Sequence, residues 1–321
     1  MRVIEYTLTT EDESLYIKEI LQRRLKFSSR LMRKLKVHEG GLLLDGKPSR
    51  MKERGKAGQK LSVCYPEETS YFEPEDIPLN VPYEDDDLLV VNKQPGIVVH
   101  PTKGYQTGTL ANALVFRMNQ QGVSYKPRFV NRLDRDTSGL IIVGKNPHTQ
   151  DFIMHQMEKN LVEKTYIAIV HGIVGKPGDK GTVDEPIDKD PNHVARRYVT
   201  PTGYSSVTHY EVLAVSDFDA GQGGECRGYS LLKLRLETGR THQIRAHMTY
   251  LGHPLVGDEL YGQLFGYADV PGWMPRQALH AAHLHFEHPS EGKTVDVSAD
   301  LPEDMKKCID YLKLDYLKSE Q

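Results

Sequence analysis

The chain has 321 residues, of which 38% are hydrophobic, and its formal net charge at pH 7 is -3. This length allows a sizeable core and two domains, and no apolar run reaches the roughly 18 residues that a membrane span needs. The N-terminus, MRVIEYTLTTEDES, is acidic and lacks the apolar segment of a signal peptide. The three cysteines, Cys64, Cys226 and Cys308, are isolated and odd in number, which favours a reducing cytoplasm over a disulfide framework.

The charge is distributed unevenly along the chain. Residues 1–65 contain 15 Lys and Arg against 8 Asp and Glu, whereas residues 66–321 contain 26 against 36. A basic part in an otherwise acidic chain indicates contact with nucleic acid. The alternative is that the basic residues form an ordinary solvated helix face.

The basic part has the pattern of a small mixed domain. Ser28 or Ser29 is placed to cap a helix whose apolar residues are Leu31, Met32 and Leu35. The remaining predicted elements are a strand at Met1–Thr9, a helix at Ser14–Leu25, a hairpin around Asp45-Gly46 and a strand at Gln59–Cys64. The outer side of the second helix would carry Arg30, Arg33, Lys34 and Lys36.

Two short helices followed by a hairpin resemble the αL RNA-binding module of ribosomal-protein-four type, over about residues 12–64. Such a module would hold phosphates and so supply affinity with little sequence reading. We therefore expect an RNA-binding domain at 1–65 and a polar linker at 66–79. The remainder, 80–321, is expected to be one catalytic domain.

The second domain is predicted to alternate strands and helices. Lys93 follows a buried strand and, from the residues alone, is best interpreted as a surface lysine in a turn. The segment 176–204 is charged and rich in Gly and Pro, so it is predicted to be an exposed excursion that carries Arg196 and Arg197. Strands are predicted at Leu88–Val91, Ile97–Val99, Ile167–Val170, Ser205–Val215, Tyr229–Leu236, Leu279–Phe286 and Val295–Ser298, and helices at Thr109–Met118, Gln150–Lys159, Thr241–Tyr250 and Pro302–Leu317; Asp217–Gly228 is predicted to be a loop.

The stretch FVNRLDRDTSGLIIVGKN, from Phe129 to Asn146, organises this domain. Two apolar runs enclose a segment of charged and turn-forming residues, which can hold Asp134 rigidly at the edge of a cleft. A nucleophilic or acid/base carboxylate would need that position. The alternative is a structural ion pair of Asp134 with Arg132 or Arg135.

Two further side chains allow both a structural and a functional interpretation. Tyr166 is either a core aromatic of a strand or an aromatic surface for a ligand. Arg245 is either a surface charge or a cleft residue on a helix whose Ile244 and Met248 face the core.

The strings RLDRDTSGL and GRTHQIRAH resemble signatures of the RluA/RluD class of RNA pseudouridine synthases, and the similarity spans about residues 80–300. The resemblance implies that Asp134 is the catalytic residue, that Tyr166 lies against the target uracil and that Arg245 pairs with Asp134. Asn131 stands where this class usually has His. The implied fold is α+β, with a large mixed, mainly antiparallel sheet, flanking helices and an RNA cleft.

The resemblance also implies the reaction, in which uracil leaves C1′ of a uridine in RNA, rotates and rejoins through C5. Asp134 would start it as a nucleophile or as a base on the ribose, and Arg245 would keep it ionised and aimed. Arg132 is a candidate to fill the gap left by a flipped nucleotide; Leu133, Thr137 and Arg240 are further expected RNA or substrate contacts. Ribosomal RNA or its precursor is the favoured substrate, with transfer RNA as the alternative, and a cytoplasmic monomer without a cofactor is expected.

Three other functions are compatible with parts of the sequence. Asp134 and Asp136 could form the carboxylate pair of a glycoside hydrolase. The chain could also be an RNA-binding protein without catalysis. A metal site at His242, His247 and His253 is disfavoured, because their spacing is not that of a helical zinc pair and no further ligand has motif spacing.

Overall fold

A computed structural model describes residues 3–38, 40–65, 68–102, 104–221, 227–267, 271–290 and 292–314. Within these ranges the chain forms a four-stranded antiparallel sheet, a ten-stranded sheet and a two-stranded ribbon. The strands are β1 (Val3–Thr7), β2 (Leu42–Leu44), β3 (Lys47–Pro48), β4 (Lys60–Cys64), β5 (Asn80–Glu84), β6 (Leu88–Lys93), β7 (Arg128–Phe129), β8 (Ser138–Gly144), β9 (Glu163–His171), β10 (Lys180–Asp184), β11 (Ile187–Lys189), β12 (Arg197–Val199), β13 (Val207–Ser216), β14 (Tyr229–Leu236), β15 (Leu279–Glu287) and β16 (Thr294–Ser298).

The helices lie on both sheets. They are α1 (Ile17–Arg23), α2 (Ser29–Val37), α3 (Leu110–Gln121), α4 (Pro147–Glu158), α5 (Gln243–Tyr250), α6 (Glu259–Gly262) and α7 (Glu303–Tyr311), with 3-10 turns at Thr10–Asp12 and Gln263–Phe265. Across the described ranges, no helix combines the length and the apolar character that crossing a bilayer requires.

The four-stranded sheet has the order β1-β4-β2-β3 and is covered by α1 and α2. Ser28 caps α2 by accepting a hydrogen bond of 3.2 Å from the Leu31 N–H, as predicted. Asp45 and Gly46 both have positive φ, 48° and 76°, which is the backbone of the predicted Asp-Gly hairpin. The core of this module consists of Leu8, Ile17, Ile20, Leu21, Phe27, Leu31, Leu35, Leu42, Leu61, Val63 and Tyr65.

This N-terminal module rests on helix α4 of the large sheet. The ring centroids of Phe27 and His148 are 4.5 Å apart, and the Ser28 N–H donates to the Asp151 carboxylate at 3.2 Å. His148 Nε2 also lies 2.7 Å from the Leu25 carbonyl oxygen. The end of α1 and the start of α2 are thereby fixed against the rest of the chain.

The large sheet has the order β10-β13-β14-β9-β15-β8-β6-β5, with β16 paired to β15 and β7 paired to β8. Its neighbours are antiparallel except β15 and β8, which are parallel. At this parallel contact Gly139 has φ 113°, and a Cβ there would overlap the backbone of Ala281, so only glycine fits. The predicted α+β fold with a large, mainly antiparallel sheet is confirmed.

Two predictions about individual elements were wrong. Ile97–Val99 is not a strand, because the carbonyls of Val98 and Val99 accept hydrogen bonds of 2.9 and 3.0 Å from the Leu110 and Ala111 N–H groups at the start of α3. The segment 176–204 is not a plain excursion: β10 is an edge strand of the large sheet, with Val183 buried, and β11 pairs with β12.

Two predicted elements extend beyond the described residues. The last helix ends at Tyr311 instead of Leu317, and residues 315–321 lie outside the described ranges. The loop predicted at Asp217–Gly228 includes residues 222–226, among them Cys226, which also lie outside those ranges.

Candidate active site

Asp134 lies in the turn between β7 and β8. The Thr137 N–H donates to the Asp134 carbonyl at 3.2 Å and closes the turn, and Leu133, 8% exposed, anchors it in the main core. The Asp134 side chain is 18% exposed. The turn therefore presents one carboxylate to a cleft while its neighbours are held by the sheet, as the sequence predicted.

Lys93 is completely buried, and the prediction of a surface lysine was wrong. Its Nζ donates to the carbonyl oxygens of Gln94 and Ile97, both at 3.0 Å, and to that of Arg135 at 2.8 Å. Burial lowers the pKa of Lys93 to about 7, against partial compensation by the charge of Asp136. The three acceptors match the three donors of an ammonium group, so protonated Lys93 clamps the turn that carries Asp134.

The alternation of β6 contained the signal that was missed. Leu89 and Val91 face the main core, and Lys93 is the next residue on that face. Read with period two, the strand would have placed the lysine inside the domain.

Arg245 holds Asp134 from helix α5. Its Nη1 donates to Asp134 Oδ2 at 3.2 Å, while Nε and Nη2 donate to the two oxygens of Asp258 at 2.6 and 2.9 Å. Burial would lower the pKa of Arg245, but the hydrogen bonds and charge of Asp258, followed by the charge of Asp134, leave it raised. The guanidinium is thus a fixed cation beside the carboxylate.

Asp258 has a second task, because it also caps the short helix α6 by accepting the Tyr261 N–H at 3.2 Å. It is fully buried. No motif marked this residue; a capping pattern before Glu259 was the available signal. The Tyr261 ring lies under the Arg245 guanidinium, 5.0 Å from it.

Tyr166 reaches the same place from β9. It pairs with Ala281 of β15, which pairs with Gly139 of β8, which pairs with Lys93 of β6. Tyr166 is 7% exposed, and its pKa is raised by burial and, further, by the negative charge of Asp134. Three groups predicted to act together, Asp134, Arg245 and Tyr166, therefore surround one spot.

The side chains predicted to contact RNA fall into two groups. Leu133 and Thr137 are buried, and Thr137 accepts a hydrogen bond of 3.2 Å from Gln277. Arg132 and Arg240 are exposed, with Arg240 5.5 Å from the Tyr204 ring. On α2 the exposed residues are Arg30, Arg33 and Lys34. Direct contact with RNA stays a prediction for all seven.

A groove of about 340 Å³ lies between the N-terminal module and the large sheet. Arg30 and Lys34 of α2 form one side, and Lys126 and Arg128 form the other. Arg128 is paired with Glu68, so the lining includes one acidic group. The groove still carries a surplus of positive charge, which suits a polyanion.

Asn131 has a structural position. Its Oδ1 accepts the Ile142 N–H at 2.8 Å and its Nδ2 donates to the Leu140 carbonyl at 3.3 Å. The side chain thus continues the hydrogen bonding of β8 beyond β7. It occupies backbone groups and is not directed at Asp134.

The other charges near the turn have partners of their own. Arg135 donates from Nε and Nη2 to Asp136 at 3.0 and 2.9 Å, and from Nη1 to the Tyr105 hydroxyl at 2.8 Å. Arg196 pairs with Asp190 at 2.8 Å. Asp136 is therefore engaged with Arg135, which disfavours a carboxylate pair with Asp134.

The three histidines considered as metal ligands have different surroundings. His247 lies between the Thr208 hydroxyl and the Glu185 carbonyl, and His253 contacts the His171 carbonyl at 2.9 Å. His242 is beside Asp134 and Tyr261. Among the described residues, no group of three or more His, Cys, Asp or Glu side chains is arranged to hold a metal ion.

Comparison with known proteins identifies the class that this sheet and this site define. Residues 87–250 match the family model of RNA pseudouridylate synthase. The chain is 39% identical to the RNA pseudouridine synthase YjbO of Bacillus subtilis, over 89% of this chain and 95% of that protein. It belongs to the RNA pseudouridylate synthase family and is an enzyme that isomerises uridine in RNA.

Two further comparisons agree with this assignment. The ribosomal large subunit pseudouridine synthase D of Haemophilus ducreyi is 39% identical, over 78% of this chain and 75% of that protein. The solved structure of human RNA pseudouridylate synthase domain containing 1 has a TM-score of 0.55 and 25% identity, and covers 74% of this chain and 95% of that one.

Proposed function

We propose that this enzyme forms pseudouridine in ribosomal RNA and that Asp134 is the residue that opens the reaction. The similarity to a synthase named for the large ribosomal subunit supports the choice of RNA. The observation that carries the role of Asp134 is its hydrogen bond with Arg245 at a partly open position beside Tyr166.

The first step is displacement at the ribose. An oxygen of Asp134 bonds to C1′, the C1′–N1 bond breaks, and uracil leaves with the electron pair on N1. The guanidinium of Arg245 stabilises the ionised carboxylate and aims it. This suits displacement better than removal of a hydrogen from carbon, which needs a stronger base.

The second step rejoins base and sugar. After uracil rotates, C5 bonds to C1′ while the ester to Asp134 breaks; a proton then leaves C5 and N1 gains one, so no cofactor is consumed. Burial keeps the Tyr166 phenol protonated, because its pKa is raised. Tyr166 therefore serves as a flat surface for the uracil in preference to starting as a base.

The flipped nucleotide requires support from the exposed charges at the rim. Arg132, two residues before Asp134 and exposed, fills the gap left in the RNA by stacking its planar group. Unstacking is cheapest for an unpaired base, so the target uridine lies in a loop or a bulge. Arg240 contacts a phosphate from the other side of the cleft.

The N-terminal module, residues 1–65, holds RNA apart from the chemistry. Arg30 and Lys34 face the basic groove and Arg33 extends the exposed row on α2. The linker at 66–79 joins this module to the catalytic domain at 80–321. The enzyme acts as a cytoplasmic monomer.

The experiment is a pseudouridine map of total RNA from cells that lack the gene. The cells are complemented with wild type, Asp134→Asn or, as the matched control, Asp136→Asn from the same turn. We expect one or more pseudouridines in ribosomal RNA to vanish and to return with wild type and with the control only. Sites in transfer RNA, or rescue by Asp134→Asn, would contradict the proposal.

A further inference from the structure

His242 is a buried histidine of the site that the reaction described above does not use. It stands immediately before α5 with φ 54°, a left-handed conformation that few residues other than glycine adopt. Its ring is 15% exposed and lies between Tyr261 and Asp134, with Nε2 3.7 Å from Asp134 Oδ2. A strained backbone that places a ring against the reactive carboxylate indicates a functional position.

The contacts of the Tyr261 hydroxyl determine which ring nitrogen carries a hydrogen. The hydroxyl donates its one hydrogen to the Arg197 carbonyl at 3.0 Å and accepts the Arg197 N–H at 2.8 Å. His242 Nδ1, 3.3 Å from the same oxygen, must then be the donor in that contact. Burial lowers the pKa of His242 to about 4, so the imidazole is neutral and Nε2 carries a lone pair.

Two hydrogen-bond acceptors therefore face each other across 3.7 Å, Nε2 of His242 and Oδ2 of Asp134. They cannot bond to each other, and a donor from outside the protein is required beside them. The donor must stand next to the atom that Asp134 attacks. In a β-nucleoside the displacement at C1′ comes from the face opposite the base, which is the face that carries the 2′-hydroxyl.

The geometry points to His242 as the residue that accepts a hydrogen bond from the 2′-hydroxyl of the target uridine. This inference rests on the proposed function, with Asp134 attacking C1′. The ribose stays attached to the RNA while uracil rotates, so a fixed acceptor on the sugar holds C1′ in line through both steps. The same contact distinguishes RNA from DNA at the reacting nucleotide.

The test uses an RNA stem-loop that contains the uridine located by the pseudouridine map, made with uridine or 2′-deoxyuridine at that position. Single-turnover rates are measured for wild type and for His242→Asn, which tolerates the left-handed backbone but is too short to reach. His253→Asn is the control, because His253 contacts only a distant carbonyl in the printed contacts of the site. The ratio of the two rates cancels the intrinsic difference between the sugars.

We expect the preference for uridine to fall about five- to tenfold in His242→Asn, the effect of one hydrogen bond, and to remain at the wild-type value in His253→Asn. A preference unchanged in His242→Asn would overturn the inference. So would a variant whose discrimination changes against N3-methyluridine instead, since the contact would then be with the base.

A measurement on the unaltered enzyme keeps the inference testable if the variant does not fold. The ¹⁵N resonances of the histidines, assigned for His242, report which nitrogen bears hydrogen. Hydrogen on Nδ1 agrees with the inference, and hydrogen on Nε2 contradicts it. Turnover by Asp134→Asn would instead refute the proposed function, so the two failures are distinguishable.

Discussion

The turn that carries Asp134 and the basic helix α2 are both rich in charge, but their charges are arranged in opposite ways. Around the turn each charge has a partner within the protein: Arg245 is 9% exposed and is shared between Asp134 and Asp258. On α2 the arginines and lysines are exposed. Paired, buried charges fix a geometry, whereas exposed charges attract a polyanion from a distance. Substitutions in the turn should therefore change the rate, and substitutions on α2 should change the affinity.

The largest effect is expected for Asp134→Asn. The amide keeps the shape of the side chain but cannot form the bond to C1′, so single-turnover formation of pseudouridine should fall by about 10³-fold or more. RNA affinity, measured by filter binding, should stay within about threefold of wild type. Asp136→Asn is the control and should retain most of the rate; equal losses in the two variants would mean that the turn as a whole, and not this carboxylate, is required.

A smaller loss is expected for Asp258→Asn. Removing the fully buried partner of Arg245 leaves a buried cation with less compensation, which should lower the free energy of unfolding by about 3 kcal/mol. The guanidinium is also less well aimed, so the rate should fall by about 10²-fold. Urea unfolding and single-turnover rates test the two effects.

Asp304→Asn is the matched control for that variant. Asp304 pairs with Arg276 in the same two-bonded geometry, at 2.6 and 2.9 Å, but its side chain is 27% exposed. We expect a loss of stability of about 1 kcal/mol or less and a nearly normal rate. If Asp258→Asn behaves like this control, the pairing with Arg245 does not support Asp134.

Lys93→Met should lower the rate about tenfold, because the three carbonyls that hold the turn lose their donor. It should also change how stability depends on pH. The pKa of Lys93 is about 7 in the folded protein, below its ordinary value of 10.5, so between these values the unfolded chain binds more protons. The wild-type free energy of unfolding should therefore rise with pH relative to that of Lys93→Met. A constant difference across this window would show that the lysine does not titrate in it.

The smallest effect is expected for the triple variant Arg30→Ala, Arg33→Ala and Lys34→Ala. Loss of three cations should weaken RNA binding several-fold and flatten its salt dependence by roughly 0.7 per lost phosphate contact, with the rate at saturating RNA unchanged. A variant with the same loss of charge at exposed Lys47, Lys52 and Lys56 controls for net charge. Equal weakening in both would mean that α2 has no special contact with RNA.

The sequence predicted the site where one motif supplies the residue and failed where the residue is placed by tertiary contacts. Asp134 and Arg245 lie in strings specific to this family, and the structure joins them at 3.2 Å. Asp258 and Tyr261 come from a short helix that no periodic pattern announces, because four residues are too few to show one.

The same limit explains the errors in the fold. Strong alternation predicted β14 and β15, and capping residues predicted the start of α2 and α3. The extended run at 97–99 looks like a strand in isolation, but its carbonyls bond to a helix start, which only the folded chain brings near. Burial of Lys93 was within reach of the alternation of β6, but its polar side chain suggested the opposite.

The most direct test of this account is pseudouridine formed in one turnover, at saturating RNA, by Asp134→Asn and by the α2 triple variant side by side. We predict that Asp134→Asn binds the RNA and forms no measurable pseudouridine, whereas the triple variant forms it at the wild-type rate. Product from Asp134→Asn at more than about a tenth of the wild-type rate would show that the chemistry begins elsewhere.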